Sequence, residues 1–232
     1  MDGDADIAKV GALVADPARA RILLALGDGR ALPATVLADE AGVSPSTAST
    51  HLSKLVAGNL LDVRREGRHK YFRVASPDVA ELIEALARLS PAASVRSLRQ
   101  ANKAEAIRFA RTCYDHLAGL LGTTLMDAML ERGLLRDDDP DSDYRLTDRG
   151  SVELSAFGIE LEPLCARRRP LIRGCVDWTE QRHHLAGGLG AALARRMFEL
   201  GWLERARRSR AVHVTADGSR GLRETFGVEL AA

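Results

Sequence analysis

Apolar residues recur at helical spacing between residues 44 and 57, at positions i, i+4, i+7 and i+8. This spacing predicts a helix with one buried face, made of Ala48, Leu52, Leu55 and Val56. Ser44 is suited to cap the helix because its hydroxyl can accept a backbone N–H, and Pro45 fits the first helical position. Gly58-Asn59 is expected to end it. The opposite face is polar and consists of Ser46, Thr47, Thr50, His51 and Lys54.

The pattern changes to strand-like alternation after this helix. Residues 61–63 and 71–74 alternate apolar and polar side chains, which predicts a β-hairpin with its turn at 65–70. Residues 62–73 contain five Lys or Arg and two acids, whereas the whole chain has a formal net charge of only +1. A cationic hairpin beside a polar helix face is suited to contact phosphates.

The helix and the hairpin together predict a surface that binds double-stranded DNA. We expect Thr50 and His51 to read bases, and Arg65, Arg68 and Lys70 to hold phosphates. An alternative is that the polar helix face binds a protein. The complete set of predicted DNA contacts is Ser44, Ser46, Thr47, Thr50, His51, Lys54, Arg64, Arg65, Arg68, His69 and Lys70.

Residues 16–89 resemble the winged-helix domain of the ArsR/SmtB family of bacterial repressors. The resemblance rests on DPARARILLAL and on VLADEAGVSPSTASTHLSKLVAGNLLDVRREGRHKYFRV, which occur in the family's order. It implies a homodimer that binds an imperfect palindromic operator and is released by an effector. In the family the first helix and the helix after the wing pair across the dimer, and the apolar residues within 7–14 and 82–89 would serve that pairing here. The alternative is that both apolar stripes pack within one subunit.

The length of 232 residues and the hydrophobic content of 46% allow more than one folded unit. We expect a winged helix-turn-helix domain for DNA binding and dimerisation over residues 1–90, and a C-terminal sensor or interaction domain over 95–232. The fold class is expected to be mainly α with small β-hairpins (α+β). No apolar run reaches the length of a membrane span, and the acidic N-terminus lacks the order of a signal peptide. We therefore expect a cytoplasmic bacterial protein with reduced thiols and no membrane partner.

The second half contains an internal repeat. HLAGLLGTTLMDAMLERGLL at 116–135 matches HLAGGLGAALARRMFELGWL at 184–203, and LTDRG and FGIEL have counterparts in VTADG and FGVEL. The repeat predicts two winged-helix-like units over about 113–161 and 181–230, each with the order helix, hairpin, helix. We expect the two HLAG segments to face each other across a pseudo-twofold axis. The hairpin tips differ, because 137–143 is acidic where 204–210 is rich in arginine, and the arginine tip is expected to project away from this seam.

Candidate effector residues lie in the repeats. The family's two common metal sites have no counterpart, because 32–36 contains no thiol and 77–89 contains no histidine. Cys113 and His116 are spaced as if on one helix face, and together with Cys175 and His184 they can supply ligands to zinc, copper or a trivalent metalloid. The interpretation favoured by the sequence is instead that the cysteines are buried and the histidines cap helices, so the metal stays unknown.

An organic effector would require an apolar pocket with a few polar anchors, and we expect such a pocket between the repeats. Arg111 or Arg182 can bind a carboxylate there, beside aromatic residues drawn from Tyr114, Phe157, Trp178, Trp202 and Phe226. The predicted effector-binding residues are Cys113, Tyr114, His116, Cys175, Trp178 and His184.

The sequence contains no phosphate-binding loop, dinucleotide fingerprint, zinc-protease motif or serine nucleophile elbow. A nucleophilic pair of Cys113 and His116 is conceivable, but no third group can be assigned to orient it. We therefore expect no enzymatic activity and no cofactor.

Overall fold

A computed structural model describes residues 4–91, 95, 97–137, 144–206 and 209–230. The chain divides into two compact units, Met1–Leu86 and Ala87–Ala232, and the boundary falls within a helix. The predicted fold class is confirmed, because helices dominate both units and every sheet is small and antiparallel. Among the described residues no helix is long and apolar enough to cross a membrane.

The first unit is a helical domain with a three-stranded sheet in the order β1-β3-β2. The paired strands β2 and β3 form the predicted hairpin, with Val63 opposite Phe72. The elements are α1 (Ile7–Val14), α2 (Pro17–Leu26), β1 (Leu32–Pro33), α3 (Ala34–Ala41), α4 (Pro45–Ala57), β2 (Leu61–Glu66), β3 (His69–Val74) and α5 (Pro77–Leu89).

Local signals in the sequence account for α4. The side chain of Ser44 accepts a hydrogen bond from the backbone N–H of Thr47 at 3.2 Å, so the predicted cap is present. The helix ends at Gly58, and Asn59 follows with φ 57°. Three of the four predicted core positions are buried, while Val56 is only partly buried. Buried apolar residues of α2 and α3 pack in the same unit, namely Ile22, Leu23, Leu26, Leu37, Ala38 and Ala41, and the hairpin and α5 add Leu61, Phe72, Val74, Val79, Ala80 and Ile83.

The second unit repeats one order of elements, hairpin–helix–hairpin–helix, over residues 111–156 and again over 173–226. A helix, α6 (Leu98–Phe109), precedes the first set, which comprises β4 (Arg111–Cys113), β5 (His116–Ala118), α7 (Leu120–Glu131), β6 (Leu135–Arg136), β7 (Arg145–Leu146) and α8 (Asp148–Ala156). After α9 (Leu161–Cys165), the second set comprises β8 (Arg173–Val176), β9 (His183–Ala186), α10 (Gly187–Glu199), β10 (Leu203–Arg205), β11 (Val212–Val214) and α11 (Ala216–Phe226).

The start of each set differs from the sequence prediction. The segment from Cys113 to His116 was expected to be helical, but it is the tight turn of the β4–β5 hairpin. Tyr114 has φ 56° in this turn, a conformation that a helix does not allow. Gly119 then has φ 80°, which separates β5 from α7. The HLA segments are therefore strands. The helices α7 and α10 of the two matching repeats begin only after these strands.

The T-x-x-G motif of both sets has one structural explanation. The hydroxyls of Thr147 and Thr215 cap α8 and α11 by accepting the backbone N–H of Gly150 and of Gly218, both at 2.9 Å. A Cβ at either glycine would lie 2.1 Å from a backbone carbonyl oxygen of the preceding segment. Threonine is required because its hydroxyl caps the helix. Glycine is required because any side chain at its position would clash with the backbone of the preceding segment.

The two sets are interleaved in one core. α7 packs on β9, α10 packs on β5, and β5 and β9 contact each other. Phe157 lies between Trp202 and Phe226, with ring centroids 5.3 and 5.2 Å away. These three aromatics are thus part of the packed core, so the expectation that they line an effector pocket is wrong.

Candidate functional site

The predicted DNA-binding residues form an exposed polar surface on α4 and the β2–β3 hairpin. Ten of the eleven residues are exposed, His51 being the exception. Gly67, with φ 59°, makes the hairpin turn that presents Arg65, Arg68 and Lys70 to solvent. The hydroxyls at the start of α4 bond to one another, since Ser44 Oγ lies 2.9 Å from Ser46 Oγ and 2.8 Å from Thr47 Oγ1.

His51 occupies a different environment from its neighbours on α4. Its side chain is only 14% exposed, and its Nδ1 lies 3.6 Å from Oδ1 of Asp16, the N-cap residue of α2. Thr50, by contrast, is exposed. In this geometry Thr50 is the better placed of the two residues that were assigned to base reading.

In the second unit, two hairpins bring two cysteines and two histidines together. Cys113 and His116 are directly opposite each other in β4–β5, as are Cys175 and His184 in β8–β9. Cross-strand partners point to the same side of a hairpin, so each hairpin presents one thiol and one imidazole. The four ligand atoms all lie within 4.8 Å of one another. We call this set the Cys/His cluster.

The imidazole rings of His116 and His184 lie 5.1 Å apart and are tilted by 32°. The expectation that the two HLAG segments meet at a seam is therefore confirmed for these residues. Two glycines make the close approach possible, because a Cβ at Gly122 would lie 3.3 Å from the Cβ of His184, and one at Gly190 would lie 3.3 Å from that of His116. The cluster is enclosed, since Cys113, His116 and His184 are buried and Cys175 is half-buried.

A carboxylate stands beside the Nδ1 atom of each histidine. His116 Nδ1 lies 3.2 Å from Asp115 Oδ1, and His184 Nδ1 lies 3.3 Å from Asp177 Oδ2. Each carboxylate is held in turn by an arginine: Arg169 binds Asp115 with one contact of 2.9 Å, and Arg111 binds Asp177 at 2.9 Å. The Nε2 atoms of both histidines are buried and have no hydrogen-bond partner.

Asp177 connects the two hairpins. One of its oxygens faces Arg111, His184 and the backbone N–H of Gly119, while the other accepts bonds from Thr179 and from the backbone of Glu180. Sequence reasoning assigned no role to Asp177. The available signal was a lone carboxylate two residues after Cys175, which by itself does not distinguish a loop cap from a partner of a distant histidine.

These contacts shift several pKa values. Burial opposes ionisation of Asp177, but His184, Arg111, Thr179 and Gly119 outweigh it and hold the pKa of this carboxyl well below its usual range. Burial likewise opposes ionisation of Asp115, yet Arg169 and His116 lower its pKa to about 2.

The thiol and imidazole of the second hairpin influence each other. The hydrogen bond from Cys113, against the opposing effect of burial, lowers the pKa of Cys175 far below its usual range, and both histidines add to this. Burial alone would lower the pKa of His184, but Asp177 and Cys175 raise it to about 9. The thiol of Cys175 and the imidazole of His184 thus each favour the charged form of the other.

Four other residues that were assigned to effector binding lie outside the cluster. Tyr114 is in the hairpin turn, and Trp178 places its ring 4.9 Å from the guanidinium of Arg111. Arg111 and Arg182 were expected to anchor a carboxylate ligand, but they bind the chain's own Asp177 and Asp127. Arg111 is fully buried against Asp177 and so is not an anchor for an organic ligand, whereas the partly exposed Arg182 lines the groove described next.

A groove of about 370 Å³ lies beside the cluster rather than within it. It is lined by residues that neighbour the cluster cysteine and histidine in β8 and β9, Val176 and His183, with Tyr144 closing one side through a 2.7 Å contact to His183 Nδ1. Because successive side chains alternate along a strand, the groove and the cluster are on opposite faces of the hairpin.

Two arginines of the arginine tip, Arg205 and Arg210, contact the chain itself. Arg205 lies over the Phe198 ring and contacts Thr112 Oγ1, and Arg210 is only 7% exposed. The backbone of residues 210–212 bonds to the outer edge of β4, with Thr112 donating to the Arg210 carbonyl at 3.1 Å. Arg205 and Arg210 therefore pack within the second unit, because the edge of β4 that is not paired with β5 bonds to residues 210–212. Residues 207–208, and the acidic tip at 138–143, lie outside the described residues.

Known proteins match this chain either over a part of its length or over nearly all of it. A family model described as a helix-turn-helix domain matches residues 14–64. The chain is 41% identical over 225 residues to the uncharacterized HTH-type transcriptional regulator YdfF of Bacillus subtilis, covering 97% of this chain and 99% of that protein. It is also 38% identical over 77 residues to the HTH-type transcriptional regulator CmtR of Mycobacterium tuberculosis, covering 33% of this chain and 64% of CmtR.

Among solved structures, a homodimeric winged helix-turn-helix DNA-binding domain from Mycobacterium bovis, described as a possible ArsR-family transcriptional regulator, is 35% identical. That match covers 38% of this chain and 88% of the other, with a TM-score of 0.33.

Proposed function

This chain belongs to the family of helix-turn-helix transcriptional regulators, and from that premise we propose that it is a repressor that binds a palindromic operator as a homodimer and is modulated by an effector held in its second unit. The polar surface of α4 and the cationic β2–β3 hairpin support the DNA contact. In this proposal α4 enters the major groove and the hairpin follows the phosphates beside it.

The DNA-binding proposal rests mainly on one observation. Hydrogen-bonding and cationic side chains are exposed together on α4 and on the β2–β3 hairpin that follows it. Ten of the eleven candidate contacts are exposed, although the chain as a whole is nearly neutral. A solvated surface would not need this local excess of arginine and lysine, whereas a phosphate backbone does.

Homodimer formation is supported by apolar side chains that α1 and α5 leave exposed. Ile7 is 79% exposed, and Leu86 and Leu89 are 37% and 80% exposed. None of the residues of α1 is buried, although six of the eight are apolar. A partner subunit that covers both helices would remove this surface from water, and it would place two copies of α4 on one palindrome.

The effector site that we propose is the Cys/His cluster. It is the position at which the β4–β5 and β8–β9 hairpins meet, and so a bound effector there contacts both sets of elements at once. The groove beside β8 and β9 is a second candidate, for an organic effector, because its volume of about 370 Å³ is within the range of small-molecule sites.

Selection of DNA from a random-sequence pool by the purified full chain tests the proposal. We expect enrichment of an inverted repeat whose half-sites are about one helical turn apart, and affinity that falls steeply with salt. If no sequence is enriched and the affinity for duplex DNA does not depend on salt, the polar face of α4 binds a protein instead, and the repressor proposal fails.

A further inference from the structure

The Cys/His cluster has the composition and the arrangement of a metal centre. Each of two hairpins contributes one sulfur and one imidazole nitrogen, and the four atoms lie within 4.8 Å of one another. We propose that Cys113, His116, Cys175 and His184 bind one zinc-class divalent cation per chain and that this cation closes the second unit around the seam.

Two buried nitrogens indicate a ligand rather than packing alone. The Nε2 atoms of His116 and His184 are enclosed and have no hydrogen-bond partner. A buried polar atom without a partner destabilises the fold, and native proteins rarely keep two of them side by side. A cation between the rings would satisfy both nitrogens.

The surroundings of the histidines orient these nitrogens. Nδ1 of His116 is hydrogen-bonded to Asp115 at 3.2 Å, and Nδ1 of His184 lies 3.3 Å from Asp177 without forming a hydrogen bond; we assign the two Nε2 atoms as the metal ligands. A carboxylate behind a histidine is the usual partner of metal-bound imidazole, since it fixes the tautomer and increases the basicity of the ligand nitrogen. Here the arrangement occurs twice, and an arginine holds each carboxylate in place.

The ligand set selects the class of cation. Two thiolates and two imidazoles suit a tetrahedral, borderline-soft ion such as Zn²⁺, whereas Mg²⁺ and Ca²⁺ require oxygen ligands. In a tetrahedral zinc site the ligand atoms are about 3.3–3.8 Å apart, given typical Zn–N and Zn–S bond lengths. The cluster, at 4.8 Å or less, would contract by about 1 Å, which small side-chain rotations can provide.

Four protein ligands leave no open position, so the site is a closed one that stabilises structure and does not activate water. The cation would join β4–β5 to β8–β9, and β4 is bonded on its other edge to residues 210–212. A cation that fixes β4 would therefore also fix the arginine-containing β10–β11 hairpin. Its role as the effector of DNA binding rests on the proposed function; its binding to the cluster does not.

The test begins with metal-free protein, prepared with a chelator and a reductant, and uses Co²⁺ as a spectroscopic probe. We expect one equivalent of Co²⁺ to produce the visible absorption of a tetrahedral thiolate site, and Zn²⁺ to displace it. Cys113→Ser and His184→Asn should lose this spectrum or weaken Co²⁺ binding at least about tenfold. The matched control is Cys165→Ser, because Cys165 is an exposed thiol outside the cluster; its Co²⁺ titration should match that of the wild-type chain.

A second measurement uses only the wild-type chain, so that a variant that fails to fold cannot decide the question. The alkylation rates of Cys175 and Cys165 are measured by peptide mass spectrometry with and without Zn²⁺. We expect Zn²⁺ to slow alkylation of Cys175 at least about tenfold, as a metal-bound thiolate loses nucleophilicity, and to leave Cys165 unchanged. Equal rates at Cys175 with and without Zn²⁺, or a Cys113→Ser chain that keeps both the Co²⁺ spectrum and the Co²⁺ affinity of the wild-type chain, would overturn the site.

Operator binding is then measured with the metal-free and the Zn²⁺-loaded chain. A change in affinity with Zn²⁺ supports the cation as effector. Zn²⁺ binding without any change in operator affinity would retain the metal site and remove its effector role, whereas failure to bind DNA in either state would contradict the proposed function and leave the metal site intact.

Discussion

The carboxylate of Asp177 accepts a hydrogen bond from the backbone N–H of Gly119 at 2.6 Å. Asp177 lies in the loop of the β8–β9 hairpin, and Gly119 ends the β4–β5 hairpin. The same carboxylate oxygen also faces His184 and Arg111. One buried carboxylate thus joins the β4–β5 and β8–β9 hairpins and lies beside a cluster histidine, so it helps to bring the two halves of the Cys/His cluster together.

Replacing Asp177 with asparagine should weaken both the fold and the cluster. The change leaves the guanidinium of Arg111 buried without its counter-charge, and such an unpaired charge costs about 3 kcal/mol or more. Thermal unfolding of the metal-free chain should show this loss. Zn²⁺ affinity, measured by competition with a chelator, should fall by about 10–100-fold.

Asp115→Asn is the informative companion to that variant. Asp115 and its partner Arg169 are both about one-third exposed, so solvent replaces much of the lost ion pair and the stability should change little. Zn²⁺ affinity should still fall, because His116 loses the group beside its Nδ1. If Asp115→Asn binds Zn²⁺ as tightly as the wild-type chain, the carboxylate does not position the histidine.

Gly190→Ala should destabilise the second unit by about 2 kcal/mol, as overpacking in a core does. The added Cβ would lie 2.3 Å from the carbonyl oxygen of Leu185, which is backbone and cannot rotate away, and 3.3 Å from the Cβ of His116. This clash outweighs the gain of about 1 kcal/mol that alanine brings to a helix. Urea unfolding followed by circular dichroism measures the difference.

Gly188→Ala is the matched control for that variant. Gly188 is in the same helix, but the nearest atoms to its Cβ position are 3.8 Å away, an ordinary van der Waals contact, so alanine should leave stability unchanged or raise it by up to about 1 kcal/mol. Equal loss of stability in both variants would mean that helix propensity, not the close approach at the seam, decides the result.

On the DNA-binding surface, Arg68→Ala and Thr50→Ala should give different losses. Arg68 is on the exposed hairpin tip, and its removal should weaken binding to every sequence and reduce the slope of log affinity against log salt by about 1. Thr50→Ala should reduce affinity for the selected operator by about 1–3 kcal/mol and change binding to random DNA little. Fluorescence anisotropy at several salt concentrations measures both.

His51→Ala completes this series, since His51 was also assigned to base reading. Its side chain is mostly covered and lies beside Asp16, so part of its effect should appear as loss of stability. Arg149→Ala, an exposed arginine of the second unit paired with Glu153, is the control and should alter neither affinity nor salt slope. Equal loss of operator and random-DNA binding in Thr50→Ala would contradict base reading by α4.

Leu86→Glu should prevent dimerisation. The residue is 37% exposed on α5, within the apolar surface assigned to the subunit interface, and a buried carboxylate there would be costly. Sedimentation velocity should show a monomer, with loss of the tight binding that two linked half-sites provide. Val152→Glu, at a position 71% exposed on α8, should remain a dimer. A dimeric Leu86→Glu chain would place the interface elsewhere.

Much of the first unit was determined by the sequence itself. Ser44 with Pro45, Gly58 with Asn59 and the apolar spacing of α4 are signals that act within a few residues, and so they predict the helix and its ends directly. The same holds for the hairpin turn at Gly67, which lies within the predicted turn at 65–70.

The repeat also predicted from sequence alone that His116 and His184 are equivalent and meet at a seam. The local structure at this seam was not predictable, because Cys-Tyr-Asp-His has the spacing of a helix turn as well as of a tight hairpin. Tertiary contacts decided for the hairpin, since β4 is bonded on one side to β5 and on the other to residues 210–212.

Only the tertiary structure decided which charged groups are partners. Arg111 and Asp177 are separated by 66 residues, and Asp115 and Arg169 by 54. Isolated arginines in a sequence are equally compatible with a bound ligand carboxylate and with the chain's own carboxylates. The choice depends on which groups come together when α7 and α10 pack across the two hairpins and exclude water. This long-range packing has no signature in the local sequence.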